Sequence, residues 1–231
     1  MYTVSNVRVN HLEYYRRSIM NKINFKNYFV RILFFLVGCF IIQLGVAFFI
    51  QSETGVDSFT IFMQGLSNLL HITVGQANIL VMGIVFVGML IFTREYIRLG
   101  TFLAVISAGP FLDLINNLLI NANVNIADLN IIVRLLIVAI SCVVIAIGFS
   151  ILKSAELSVA PTDQLPLIIV DKTSWQYKWV RITMDVIFIV IGFSLGGVLG
   201  LGTIVTTLLI GPCIQYFLPI IEKKSIQIIP N

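Results

Sequence analysis

Apolar residues run along this chain in long blocks, not in narrow amphipathic stripes. Six blocks have the length of membrane spans: 29–50, 75–92, 99–119, 131–152, 177–195 and 201–221. A hydrocarbon core about 30 Å thick calls for roughly 20 residues of helix. Two shorter, semi-apolar segments remain, 56–72 and 159–170, and the second carries Pro161, Asp163 and Pro166. Segments this short and polar predict re-entrant or interfacial helices, because a partial crossing must keep its backbone groups satisfied. Outer-membrane barrels are excluded, since their strands alternate apolar and polar positions and these blocks do not.

The pattern occurs twice. Arg31, Cys39 and Gly45 recur at identical spacing as Arg134, Cys142 and Gly148. Gly100-Thr101 followed by Gly109-Pro110 recurs as Gly202-Thr203 followed by Gly211-Pro212. The first anchors are offset by 103 residues and the second by 102, so one residue separates the copies. The predicted fold is all-α: a polytopic membrane helix bundle of six transmembrane helices, arranged as two inverted three-helix repeats, each with a short re-entrant or interfacial helix. Three spans per half is odd, so the second half enters the membrane upside down. Such a chain can adopt two mirrored conformations of similar energy, which alternating access requires. The divisions are a tail over 1–28, a first repeat over 29–120, an outer connection over 121–130, a second repeat over 131–221 and a tail over 222–231.

Composition agrees with a membrane protein. The hydrophobic fraction is 58% and only 11% of residues are charged, where soluble domains average about 25%; the mean hydropathy is +0.98. Placement of Lys and Arg sets orientation. Arg8, Arg16, Arg17, Lys22 and Lys26 lie in the first tail, Arg94 and Arg98 between spans two and three, Lys153, Lys172, Lys178 and Arg181 around the central connection, and Lys223 and Lys224 at the end. Six spans with both termini cytoplasmic put all of these inside. Only Arg134 falls outside, with Glu53, Asp57, Asp113 and Asp128. The net charge of +4 therefore reflects topology, and no nucleic-acid partner is expected. No secretory signal peptide is expected in the polar, basic first residues, and starts at Met1 and at Met20 stay equally open. Cys39, Cys142 and Cys213 fall in apolar blocks and read as free thiols, with no metal-ligand spacing.

The candidate chemistry is sparse. Gly109, Pro110, Gly211 and Pro212 sit inside spans three and six, where proline removes a backbone donor and predicts kinked or broken helices. Matching breaks in two halves point to a binding site, although prolines also kink packed helices without lining one. Three residues after each proline stands Asp113 or Gln215, and the expectation is that they approach one cavity. Asn116 lies one turn from Asp113 on the same face. Asp185, deeper in span five, can pair with Arg181 one turn earlier or serve as a proton or ion site. Gln43 is a further intramembrane polar group, with interhelical hydrogen bonding as its plainer role. Residues 196–202 are glycine-rich but lack a P-loop lysine and follow a helix, so they read as a tight outer turn. No His-Glu-x-x-His or triad pattern is present, and neither an enzyme nor a cofactor is expected.

The chain resembles the YczE/YyaS/YitT group of bacterial multi-pass membrane proteins. The resemblance rests on Arg31 through Gly45, Gly55-Val56-Asp57-Ser58, Ala160-Pro161-Thr162-Asp163, Arg181 with Asp185, and Gly196-Gly197 leading to Gly202-Thr203 and Gly211-Pro212. It covers about residues 29 to 221. The group often has proline where this chain has Ser58 and glycine where it has Ser158. The resemblance implies a bacterial cytoplasmic membrane and an activity not yet assigned. The expected function is a transporter or permease for a small solute or ion, with its site between the repeats. Two alternatives stay open: a non-transporting scaffold or accessory factor, and a substrate-binding membrane subunit of a larger transporter. The bilayer is the expected partner, and a second copy or a partner membrane complex stays open.

Overall fold

A computed structural model describes residues 25–173 and 175–228. The readings for the first tail and the two starts lie outside those residues. Among them the fold is all-helical, with eight α-helices: α1 (Phe25–Ser52), α2 (Ser58–Leu70), α3 (Val74–Phe92), α4 (Leu99–Asn121), α5 (Ile131–Ser154), α6 (Pro161–Thr173), α7 (Tyr177–Ser194) and α8 (Leu201–Ile228). Five of them, α1, α3, α4, α5 and α8, are long and apolar enough to cross a membrane. α7 forms where the fifth block predicts it, but Lys178, Arg181 and Asp185 keep it out of that set. α2 and α6 are the two short segments, 13 residues each.

Local signals set the ends. Asp57 caps α2, its carboxylate accepting from Thr60 N at 3.2 Å and Thr60 Oγ1 at 2.6 Å. Thr73 and Gln76 form a capping box that starts α3. Asn130 caps α5, and Pro161 opens α6 where a missing N–H costs nothing. α8 continues past the expected end at 221, because the sequence holds no breaker between Pro219 and Pro230. The breaks expected at Gly109-Pro110 and Gly211-Pro212 are not there: α4 and α8 run unbroken through both prolines. Each proline forfeits one hydrogen bond, and the flanking turns carry the helix across it.

α1 and α5 pack antiparallel at the centre. Their backbones meet on small residues: a Cβ on Gly38 would lie 2.5 Å from Leu152 N and 2.7 Å from Gly148 O, and one on Gly45 would lie 3.0 Å from Ser141 O. Such close approach replaces the missing hydrophobic drive between helices in lipid. Each helix end is tied to an arginine of the other. Arg31 Nη1 donates to Ala155 O at 3.2 Å, and Arg134 Nε donates to Ser52 O at 2.6 Å, covering carbonyls that a helix C-terminus leaves unpaired. Phe35, Phe49 and Val138 are fully buried around this pair.

The remaining helices pack around that centre. α4 lies against α1 and α3, α8 lies against α5, and α2 lies along α7. Gly100 N donates to Leu157 O at 2.9 Å and Gly202 N donates to Thr54 O at 2.8 Å, so α4 starts on the α5–α6 turn and α8 on the α1–α2 turn. The far end of α2 is bound to the α7–α8 turn, Asn68 Nδ2 donating to Gly196 O at 2.9 Å. The far end of α6 is bound to the α3–α4 turn, Tyr96 Oη donating to Asp171.

Candidate functional site

The richest charged group gathers where α2 and α6 begin. α2 runs in the same direction as α7: Ser58 is level with Asp185, Gly65 with Gly192, and Asn68 with Gly196. Phe59 and Phe62 hold it there against Phe188, with ring centroids 5.6 and 5.3 Å away. A Cβ on Gly65 would lie 2.4 Å from Gly192 O, so the two helices meet at backbone distance. This packing delivers Ser58 Oγ to Asp185 Oδ1, to which it donates at 2.6 Å.

Asp185 also pairs with Arg181, Nε to Oδ2 at 3.3 Å, as the i,i+4 spacing predicts. Arg181 is near enough to act electrostatically on Asp57 and Asp163 as well. Arg181 thus pairs with Asp185 in the middle of α7 and lies within electrostatic reach of two more carboxylates, at the cap of α2 and in the first turn of α6. Burial pushes the Asp57 carboxyl above its ordinary range, against hydrogen bonds from Thr60 and the charge of Arg181. Burial also pushes the Asp163 carboxyl up, against Arg181, and the charge of Asp57 adds to the rise. Desolvation and like charge both favour the protonated acid.

The other predicted residues lie elsewhere. Asp113 is half-buried and fastened to the start of α3: Thr73 Oγ1 donates to its Oδ2 at 2.6 Å and Gly75 N to its Oδ1 at 3.0 Å. Asn116, one turn further on, holds a buried Oδ1 with no hydrogen-bond partner. Gln215 is exposed on α8, a helix that packs chiefly along α5. Asp113 and Gln215 are thus not brought together; the expected shared cavity needs an α4–α8 approach that this packing does not make. Gln43 is buried in α1, one turn from Cys39, whose Sγ lies 3.5 Å from Ser107 Oγ. Gly109 is pressed between Gly75 and Ile79, while Gly211 has nothing within 4 Å of its Cβ position. Cys39, Cys142 and Cys213 are free thiols.

Asp57 and Asp163 are the members that composition and span-counting miss, because each reads as an ordinary loop charge. The available signal was positional: Asp57-x-x-Thr60 has the spacing of an N-cap, and both aspartates open the short segments.

The comparisons with known proteins agree with a membrane family. A model described as a family of unknown function, DUF6198, matches residues 29–219. Two proteins of Bacillus subtilis (strain 168) are similar over most of the chain. One, "Uncharacterized membrane protein YczE", is 29% identical over 202 residues, covering 87% of this chain and 89% of its own. The other, "Uncharacterized protein YyaS", is 28% identical over 204 residues, covering 86% and 97%. An "Uncharacterized protein" of Haemophilus influenzae is 26% identical over 185 residues, covering 79% and 81%. No solved structure matches the chain significantly.

Proposed function

The chain belongs to the family of unknown function DUF6198, and we propose that it is a transporter or channel-like permease for a small solute or ion. Its site is the carboxylate group around Arg181, between two halves that enter the bilayer in opposite senses. Six helices cross the membrane in this reading: the five apolar ones and α7, whose Arg181 and Asp185 belong to that site. The termini are cytoplasmic, as the Lys and Arg distribution requires, and the membrane is the bacterial cytoplasmic one.

The observation that carries this reading is the reciprocity of contacts between the halves. Arg31 on Ala155 O answers Arg134 on Ser52 O. Gly38 against Gly148 answers Gly45 against Ser141. Gly100 on Leu157 answers Gly202 on Thr54. When residue i meets the equivalent of j, and j meets the equivalent of i, a two-fold relation is at work. Because α1 and α5 are antiparallel, that axis lies in the plane of the membrane, the arrangement inverted transporter repeats use. α2 and α6 then dip in from opposite faces, and their starting turns, positive ends of the helix dipoles, meet the charged group near mid-membrane. Ionisable side chains at that depth are costly and point to proton or ion pathways.

Purified protein in liposomes tests the reading, with an internal pH dye for proton-coupled or ionisable solutes, light scattering for neutral ones and internal cation dyes for sodium and potassium. External pulses of sodium, potassium, ammonium, small carboxylates and neutral polyols are the probes. At least one should equilibrate faster than in protein-free liposomes, and Asp163→Asn should slow it. No acceleration for any probe would favour the second reading, a scaffold in which α8, largely unburied along its length, seats a partner membrane protein.

A further inference from the structure

The two halves answer each other along the α1–α5 seam and at the starts of α4 and α8, and differ in how α3 and α7 are seated: α7 lies along α2, while α3 lies along α4 and meets α6 only slightly. In the first half α3 packs along α4. A Cβ on Gly75 would lie 2.4 Å from both Gly109 O and Asp113 Cγ, and Asp113 is bound to Thr73 and to Gly75 N. In the second half the equivalent residues are Gln176, Lys178, Gly211 and Gln215. All four are exposed, nothing lies within 4 Å of a Cβ on Gly211, and α7 does not pack along α8 as α3 does along α4. Thr73 and Asp113 lie at the end of their hairpin remote from its turn, and so do Gln176 and Gln215. With the halves inverted, one face of the bundle is closed at this joint and the opposite face is splayed.

We infer that the joint is a gate that the two halves close in turn, with Asp113 as the latch of the closed one; the inference rests on the transport reading above. In the second state α7 closes on α8 at Gly211, and α3 leaves α4. Gln215 Oε1 can accept there the bond from Lys178 N that Asp113 accepts from Gly75 N. The second joint is looser, since Lys178 stands where the first has glycine. Its amide is also a weaker acceptor than a carboxylate. Both differences make the present arrangement the resting one. This gives Gly109 and Gly211 a role other than breaking helices: each leaves room on α4 or α8 for a neighbouring backbone.

Cross-linking in membrane vesicles tests the gate. In a background with Cys39, Cys142 and Cys213 replaced by alanine, Q176C/Q215C and I182C/G211C place pairs at exposed positions, where folding is not at stake. Short bis-maleimides and digestion followed by mass spectrometry report intramolecular links. Both pairs should link, although they are apart in the present arrangement. Adding Asp113→Ala removes two hydrogen bonds to a charged group and should raise the linking rate by about tenfold or more. Absence of linking in both pairs overturns the inference, as does a rate unchanged by Asp113→Ala in folded protein. Should the alanine variant not fold, the two pairs with Asp113 intact still decide. Uptake without any linking sinks the gate alone; linking without uptake of any probe sinks transport and leaves the gate.

Discussion

Replacing Gly38 with alanine should destabilise the protein, and the same replacement at Gly211 should not. In a helix the change itself favours alanine by about 1 kcal/mol. At Gly38 the new Cβ would lie 2.5 Å from Leu152 N and 2.7 Å from Gly148 O, both backbone atoms of α5. Carbon contacts are comfortable at roughly 3.5–4.0 Å, so α1 and α5 must separate by about 1 Å. A gap of that size forfeits a quarter to a half of the dispersion attraction along the seam. Overpacking of this kind costs about 1–3 kcal/mol. At Gly211 nothing lies within 4 Å, so only the propensity gain remains. The difference between the two variants isolates the packing cost. At about 2–4 °C per kcal/mol for a chain of this size, Gly38→Ala should melt roughly 2–12 °C below Gly211→Ala. Gly148→Ala, whose Cβ would meet Ile42 N at 2.8 Å, should fall between them. Thermal melting of detergent-purified variants by intrinsic fluorescence is the assay. Equal melting temperatures for Gly38→Ala and Gly211→Ala would refute the backbone-to-backbone seam.

Two further expectations follow from the polar contacts. Asp57 and Asp163 have carboxyls raised above the ordinary 3.8, so the folded state binds more protons than the unfolded one; their contribution is complete below about pH 3.8 and is lost as pH rises through the raised values. The melting temperature should therefore fall with rising pH on the acid side, and D57N/D163N should flatten that slope; an unchanged slope would show that other groups set it. Arg134→Ala should cost about 1–3 kcal/mol by leaving the Ser52 carbonyl unpaired, more than Glu156→Ala, whose carboxylate is half-exposed in its pair with Arg31; denaturant titration gives the order, and the reverse order would count against it.

The helices were legible because length and hydropathy act locally: α3, α4 and α5 begin within a residue of their expected starts. The recurring residues Arg31 and Gly45, with Arg134 and Gly148, were legible as marks of the central seam, because all four make contacts between α1 and α5. The site was legible only in part. Asp185 stood out as a charge within an apolar block, but Asp57 joins it through the packing of α2 along α7 and Asp163 through that of α6 against α7, tertiary contacts that the cap spacing of Asp57 does not reveal. Asp113 misled for the opposite reason. Its place after Gly109-Pro110 looked like a cavity wall, while its partners are Thr73 and Gly75, the start of the neighbouring helix. At the prolines no break formed, because the helical turns on either side of each missing donor carry α4 and α8 across it.

The most direct test of opposed halves compares the far ends of the two short helices. His71 follows α2 and Lys172 lies in the last turn of α6, and both are exposed. Single cysteines at these positions in a cysteine-free background are treated with a membrane-impermeant maleimide, first on intact cells and then after permeabilisation. The inverted arrangement predicts labelling of H71C in intact cells and of K172C only after permeabilisation. Labelling of both positions from the same side would contradict it.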